Sequence, residues 1–328
     1  MKNKMVGVCT LFLILILFSS PISAASPKKV RETFSLPLES DEVTLIAGDL
    51  NSNTRIDDVL LRVGSNVYAF YSGSSHETWK WKTTLGNKRI DVIDYAGEGK
   101  LDDVLIASGS SAYIRDSEEG VLWKVTLSEA IDSVASADTD NDGKRDEVLV
   151  GVGKNVYLYD SQSTEVIKTF SNLPGEVRAV AAIDMNNDGT RDDIVIATEA
   201  LSGDSTLTTI YAVSSTMIIG NWLQEEGEIV SITPADFDSD GYLDEVLVLL
   251  KDSTKSTDSI TAYLLRVNIP HKIWDYPSLM SAALADFDKD GKLDDIVTVS
   301  SGEISTYNSD NDLIETYQKN DLEANVHP

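Results

Sequence analysis

Residues 138–150 read DTDNDGKRDEVLV. Carboxylates stand at the first, third, fifth and ninth places and glycine at the sixth. An apolar, β-branched run follows at once. The arrangement returns along the chain as DLNSNTRIDD from Asp49, DYAGEGKLDD from Asp94, DMNNDGTRDD from Asp184, DFDSDGYLDE from Asp236 and DFDKDGKLDD from Asp286. Successive copies lie 45, 44, 46, 52 and 50 residues apart. A period near 45 residues is the size of one four-stranded propeller blade.

The flanking sequence fits such a blade. A short apolar stretch precedes each string, as at Val43–Ala47 and Val177–Ala182. The runs VLLRV, VLIAS, VLVGV, IVIAT, VLVLL and IVTVS follow them. Runs this short and this apolar suit strands buried on both faces. A tyrosine comes next in every copy: Tyr68, Tyr113, Tyr157, Tyr211, Tyr263 and Tyr307. It falls 19 residues after the leading Asp in the first three copies, 27 in the fourth and fifth, and 21 in the sixth. Copies four and five therefore carry an insertion between their second and third strands. Tryptophans mark a fourth segment (Trp79, Trp81, Trp123, Trp222, Trp274), and these aromatics are expected in core between blades. No helical pattern of useful length occurs. The fold class expected is all-β: a β-propeller of four-stranded antiparallel blades, six in number, with seven as the alternative. Stacking blades around an axis buries both faces of each and removes open edges.

The strings concentrate charge. They hold 26 of the chain's 54 acids and seven of its 27 bases. Such clusters repel one another unless a cation neutralises them. Ca²⁺ takes six to eight oxygens from carboxylates, carbonyls and waters. In the third string the expected ligands are Asp138, Asp140, Asp142, the carbonyl of Lys144, and Asp146. The fourth offers Asp184, Asn186, Asp188, Thr190 and Asp192. The fifth offers Asp236, Asp238, Asp240, Tyr242 and Asp244, and the sixth Asp286, Asp288, Asp290, Lys292 and Asp294. Gly at position 6 permits the turn. Zinc is disfavoured because the strings contain no Cys or His; magnesium stays an alternative, although it prefers to keep its waters. An EF-hand needs flanking helices and Glu at position 12. Here that place holds Leu149, Val195, Leu247 and Val297, inside the strand runs. Thr54 replaces the glycine of the first string, and Ala96 takes position 3 of the second. Weak binding is expected at the first and none at the second. Position 10 is acidic in all six copies (Asp58, Asp103, Glu147, Asp193, Glu245, Asp295) and is read as a solvated strand start rather than an outer hydrogen-bond acceptor.

Composition narrows the roles. A net charge of -27 argues against nucleic acid and against anionic membrane surfaces. The one cysteine permits no internal disulfide. Lys2, Lys4, the apolar run Val6–Phe18 and the small residues Ser23, Ala24 and Ala25 look like a secretory signal. The chain is expected to divide into a signal peptide (1–24), an N-terminal segment (25–42), the six-repeat propeller (43–319) and a tail (320–328). Val30–Leu36 is left over; it either clasps the ring against the last blade or remains from a seventh. After cleavage no membrane insertion is expected, and the product is secreted, extracellular or at the cell surface.

The motif D-x-[DN]-x-D-G-x-x-D followed by an apolar strand, as in 138–150 and 286–299, resembles the FG-GAP and VCBS repeat family, which includes the propellers of integrin alpha subunits. The resemblance implies calcium in the loop between the first and second strands of a blade, and extracellular recognition or adhesion. The Phe-Gly and Gly-Ala-Pro strings that name the family are not evident, although Gly151-Val152-Gly153 and Ala197-Thr198 occupy comparable places. Trp81-Lys82 and Trp123-Lys124 are locally similar to quinoprotein-type repeats.

Strand alternation puts the acidic strings on one face of the ring. The insertions at 199–206 and 251–259 fall on the other, with Asp204, Lys251, Lys255 and Asp258 as candidate contacts for an extracellular glycan or protein. A binding module competes with a propeller-scaffold enzyme, such as a calcium-assisted polysaccharide lyase or hydrolase, and with a purely structural surface protein. His76, His271 and His327 have no evident acid or base partner, so no catalytic residue is assigned.

Overall fold

The computed structural model describes 26 strands and the stretches 89–97, 101–116, 120–214, 218–237 and 240–252. Strands β1 (Thr10–Leu15) and β2 (Glu32–Pro37) form an antiparallel pair. Of the leftover segment, residues 32–36 pair with residues 11–15 and not with the sixth sheet, while 30 and 31 lie outside the described residues.

Six four-stranded sheets follow. The first holds β3 (Val43–Gly48), β4 (Asp58–Val63), β5 (Asn66–Phe70) and β6 (Trp79–Lys82). The second holds β7 (Ile90–Ile93), β8 (Asp103–Ser108), β9 (Ser111–Asp116) and β10 (Gly120–Thr126). The third holds β11 (Ser133–Ala137), β12 (Glu147–Val152), β13 (Asn155–Asp160) and β14 (Val166–Phe170). The fourth holds β15 (Glu176–Ile183), β16 (Asp193–Ser202), β17 (Ser205–Val213) and β18 (Ile218–Glu226). The fifth holds β19 (Glu228–Ala235), β20 (Glu245–Asp252), β21 (Ser259–Arg266) and β22 (Ile269–Pro277). The sixth holds β23 (Leu279–Ala285), β24 (Asp295–Ser300), β25 (Glu303–Tyr307) and β26 (Leu313–Gln318). Within each sheet every strand pairs antiparallel with its neighbour in sequence. First strands lie against first strands: β3 on β7, β7 on β11, β11 on β15 and β15 on β19. They form a hub from which the sheets radiate.

The core explains the unbroken apolar runs. It is divided into slabs, each between two consecutive sheets. Val148 and Val150 of β12 pack with Leu105, Ile114 and Trp123 of the second sheet. Leu149 points the other way, against Val177, Ile194 and Ile196 of the fourth. Val195 and Ala197 of β16 then join Val246, Val248 and Leu250 of β20. Side chains alternate across a strand, so a strand with a slab on each face must be apolar at every position. Of the aromatics, Trp123, Trp222, Tyr113, Tyr157, Tyr211 and Tyr263 lie in or against the slabs, while the side chains of Trp79, Trp81, Trp274 and Tyr307 lie outside the described residues. Trp123 stacks edge-on to Tyr159 of the next sheet at 5.7 Å, and its Nε1–H donates to the Ser163 carbonyl at 2.6 Å. Gly151 marks a close approach between sheets, since a Cβ there would lie 2.6 Å from Val177 Cγ1.

The insertion in the fourth sheet is not a loose loop. β16 and β17 stay paired out to Ser202 and Ser205, and Gly203, with φ of 67°, closes a two-residue turn. The extra residues lengthen a hairpin. Asp204 and Leu201 are exposed at its tip, Leu201 to 87%. Lys251 continues β20 in register with Glu228, so it is part of the sheet rather than of a loop. Lys255 and Asp258 lie outside the described residues.

Candidate metal centres

Each acidic string joins a first strand to a second strand. The third and fourth, 138–147 and 184–193, are described throughout. Of the fifth, Asp238 lies outside the described residues. So do Asp286, Asp288, Asp290, Lys292 and Asp294 of the sixth, and most of the first string.

The third and fourth strings fold alike. Position 1 directly follows the first strand, and its carboxylate is buried: Asp138 and Asp184 are each 3% exposed. Asp138 Oδ1 accepts the Asp142 N–H at 3.0 Å and Oδ2 the Gly143 N–H at 3.0 Å. Asp184 takes the Asp188 and Gly189 N–H groups at 3.0 and 2.8 Å. Asp140 and Asn186, at position 3, accept the position-5 N–H at 3.2 and 3.0 Å. The position-5 acids Asp142 and Asp188 accept the N–H of Lys144 and Thr190, both at 3.0 Å. In the fifth string Asp236 Oδ2 holds the Gly241 N–H at 3.1 Å, and Asp240 Oδ1 the Tyr242 N–H at 2.9 Å. The chain thus curls around its own carboxylates. Gly143, Gly189 and Gly241 all have φ near 90°, where a Cβ is strained, which is why position 6 is glycine.

The donor set fits a hard cation. Asp138, Asp140 and Glu147 bring carboxylate oxygens within 4.8 Å of one another. Asp192 Oδ1, at position 9, and Asp236 Oδ1, at position 1, are buried without a hydrogen-bond partner. An orphaned buried carboxylate oxygen is costly unless something positive meets it. Burial pushes the carboxyls of Asp138, Asp146 and Asp192 above the usual range, and neighbouring acids add to it.

Position 10 corrects the sequence reading. It is not a solvated strand start: Asp103, Glu147, Asp193 and Glu245 are all buried. Each staples the loop by accepting the N–H of position 2. Glu147 Oε2 takes Thr139 at 2.7 Å, Asp193 Oδ2 takes Met185 at 3.2 Å, and Glu245 Oε2 takes Phe237 at 2.8 Å. The Tyr95 N–H serves Asp103 in the same way. Burial pushes Glu147 up to about 8 and Asp193 up to about 6. An acid in all six copies was the signal that could have revealed this role.

Consecutive strings are also laced together, which their spacing alone could not show. The position-1 N–H of one donates to the position-8 carbonyl of the next: Asp94 to Arg145 at 3.0 Å, Asp138 to Arg191 at 3.1 Å, Asp184 to Leu243 at 3.0 Å. Asn141 and Asn187, at position 4, reach the position-5 carboxylates of the following strings, Asp188 and Asp240, at 3.4 and 3.1 Å. Both asparagines have φ near 60°, as does Gly97 at the same place, a conformation Asn and Gly tolerate.

A side chain from the third string lies against the degenerate second string. A Cβ on Gly97 would lie 2.9 Å from Lys144 Cδ and 3.3 Å from its Nζ, so the Lys144 side chain reaches across from the third string. Its ammonium is paired with Asp142 at 3.0 Å. Asp103 in this string is lifted to about 7, first by burial and then by Asp102 and Asp116. Its unfolded value is about 3.9. Between those values the folded chain keeps a proton that the unfolded chain has released, so raising the pH from about 4 to about 7 removes stability. In metal-free protein Asp103→Asn is expected to flatten that slope by on the order of 1–2 kcal/mol after allowing for solvent screening. Urea midpoints at pH 5 and pH 8 measure it, and an unchanged slope counts against the assignment.

At the opposite mouth of the hub, Arg178 binds Glu199 at 2.9 Å, Glu176 at 2.8 Å and Asp132 at 3.4 Å. Arg89 donates to the carbonyls of Asp132 and Arg178 at 3.2 and 3.3 Å. Glu199 also accepts the Ile229 N–H at 2.7 Å. The base of the fourth-sheet hairpin is therefore an internal tie between sheets.

No family model matches the chain, and no curated protein matches it. Solved structures do. BBS1N in complex with ARL6DN aligns with a TM-score of 0.57 at 13% identity, over 84% of this chain and 80% of that one. Kuenenia stuttgartiensis hydrazine synthase aligns with a TM-score of 0.57 at 8% identity, over 77% of this chain and 74% of its own. The WD40 β-propeller domain of Doa1 aligns over 71% of this chain and 69% of its own, with a TM-score of 0.44 and 16% identity. Sheet topology and the two likenesses at a TM-score of 0.57 define the class: the chain is an all-β protein, a β-propeller with antiparallel four-stranded blades. Identities this low speak to fold and not to activity.

Proposed function

We propose that this chain is a calcium-stabilised propeller of the FG-GAP and VCBS type, in which the six sheets are six blades. It works outside the cell or on its surface as a binding or adhesion module. One observation carries the calcium reading: in repeated loops, carboxylates converge while buried oxygens such as Asp192 Oδ1 and Asp236 Oδ1 lack any donor. The ion would be held by positions 1, 3, 5 and 9 and the carbonyl of position 7 in the third to sixth strings. Calcium supplies the positive charge that a net of -27 otherwise lacks. The leader-like N-terminus supports export. A neighbour that binds a protein partner, BBS1N with ARL6DN, supports recognition as the role. The tip of the fourth-sheet hairpin, with Asp204 and Leu201 exposed, is the candidate contact surface.

Calorimetric titration of resin-stripped protein tests the ion. Binding of about one calcium per complete string is expected, with one fewer in Asp184→Asn. Heats no larger than dilution would overturn the reading. A glycan and matrix-protein binding screen, run beside a polysaccharide lyase assay, separates recognition from catalysis. Turnover without capture would favour the enzyme, and two blanks the structural role.

A further inference from the structure

We propose that Lys144 acts as a built-in cation, holding the calcium affinity of the third string below what its four carboxylates would give; this rests on calcium being the ion of the strings. The geometry comes from how one string is joined to the next.

At two junctions the position-4 side chain makes the tie. Asn141 Nδ2 donates to Asp188 Oδ2 at 3.4 Å, and Asn187 Nδ2 to Asp240 Oδ2 at 3.1 Å. Between the second and third strings position 4 is Gly97. Its φ of 67° matches the 61° and 59° of the two asparagines, but it has no side chain to send across. Lys144 fills that space from the other side. A Cβ on Gly97 would meet Lys144 Cδ at 2.9 Å, Nζ at 3.3 Å and Cε at 3.4 Å, so the lysine lies where an asparagine would begin. Its Nζ is 3.0 Å from Asp142 Oδ2. That oxygen is the equivalent of the two the asparagines serve. In all three strings the other oxygen, Oδ1, accepts the position-7 N–H. Glycine at 97 and lysine at 144 are therefore a matched pair that replaces an amide with an ammonium.

The replacement matters because Asp142 is a position-5 ligand. An amide is neutral, whereas an ammonium repels a second cation at the same carboxylate. Ligand charge tunes calcium affinity. The third string has Asp at positions 1, 3, 5 and 9, while the fourth has Asn186 at position 3 and Thr190 at position 7. Lys144 thus offsets the one carboxylate by which the third string exceeds the fourth. The Lys144 and Asp142 side chains are 39% and 38% exposed, so the pair adds little to stability and its effect falls on the ion. One residue acts in two senses: its carbonyl offers an oxygen, and its ammonium opposes the charge that oxygen would help to hold.

Lys144→Met removes the ammonium and leaves the carbonyl. The position-6 amides report the strings separately, since the N–H groups of Gly143, Gly189 and Gly241 are held by Asp138, Asp184 and Asp236. Calcium titration of resin-stripped protein with isotope-labelled glycine, followed by NMR, reads three midpoints in one experiment. In Lys144→Met the Gly143 midpoint should move to about three- to tenfold lower calcium, while those of Gly189 and Gly241 stay put. High salt should shrink the gain. Lys144→Arg keeps the charge and should hold the wild-type midpoint. Lys144→Thr combined with Gly97→Asn rebuilds the junction in the form found between the third and fourth strings. It should tighten the third string as Lys144→Met does, because the restored tie carries no charge. A lysine that only ordered the loop would give the opposite sign, since a loosened string binds more weakly. A Gly143 midpoint unchanged or raised in Lys144→Met, while calcium still moves Gly189 and Gly241, overturns the proposal alone. Wild-type amides indifferent to calcium overturn it together with the calcium reading.

Discussion

Removing calcium from the folded chain is expected to lower its unfolding midpoint by several degrees or more. Extracellular modules bind calcium with Kd around 10⁻⁴–10⁻³ M, so at millimolar calcium each occupied string adds about 1 kcal/mol. Four complete strings occur in the sequence, and their effects act in the same direction. The stripped state also regains the mutual repulsion of 26 acids gathered in six short windows. The lacing of one string to the next should spread the loss beyond any one sheet, because Asp188 and Asp240 each serve their own loop and an asparagine of the preceding one. Scanning calorimetry in calcium, and again after resin treatment, measures the shift. Asp138→Asn combined with Asp184→Asn should shrink the calcium-dependent part while leaving the stripped midpoint close to wild type. A midpoint indifferent to calcium would sink the metal reading.

Leu149→Ala should be severely destabilising, costing about 2–5 kcal/mol. Leu149 is 0% exposed on β12 and fills the slab between the third and fourth sheets with Val177, Ile194 and Ile196. Those neighbours sit on strands whose opposite faces are also packed, so they cannot collapse into the hole without opening a second slab. Leu201→Ala offers the contrast. It is 87% exposed at the hairpin tip and should change stability by less than about 0.5 kcal/mol. Chemical unfolding of both variants in the same buffer compares them. Similar losses would mean that the slabs are not the source of cohesion. If the tip is the contact surface, Leu201→Ala should instead weaken capture of any ligand found by screening.

Much of this architecture was legible because the repeat writes it six times. Regular spacing gave the sheet size, and the runs from VLLRV to IVTVS mark the strands that became β4, β8, β12, β16, β20 and β24. Other parts were not legible. The 199–206 insertion looks like a loop in sequence, but it prolongs a ladder, because Thr and Leu alternate well enough to keep pairing to Ser205. Asp103, Glu147, Asp193 and Glu245 look like exposed strand starts, yet each is needed by a buried N–H of its own loop.

Local residue chemistry by itself determined where strands run, where turns need glycine, and which side chains offer oxygen to a cation, because these depend on neighbours within ten positions. Only the tertiary structure decided which carboxylate serves which amide, that each string is tied to the next through Arg145, Arg191 and Leu243, and that Arg145 of the third string reaches Asp91 of the second sheet. Those pairings join residues some 45 positions apart, and their partners are set by how neighbouring sheets pack around the hub.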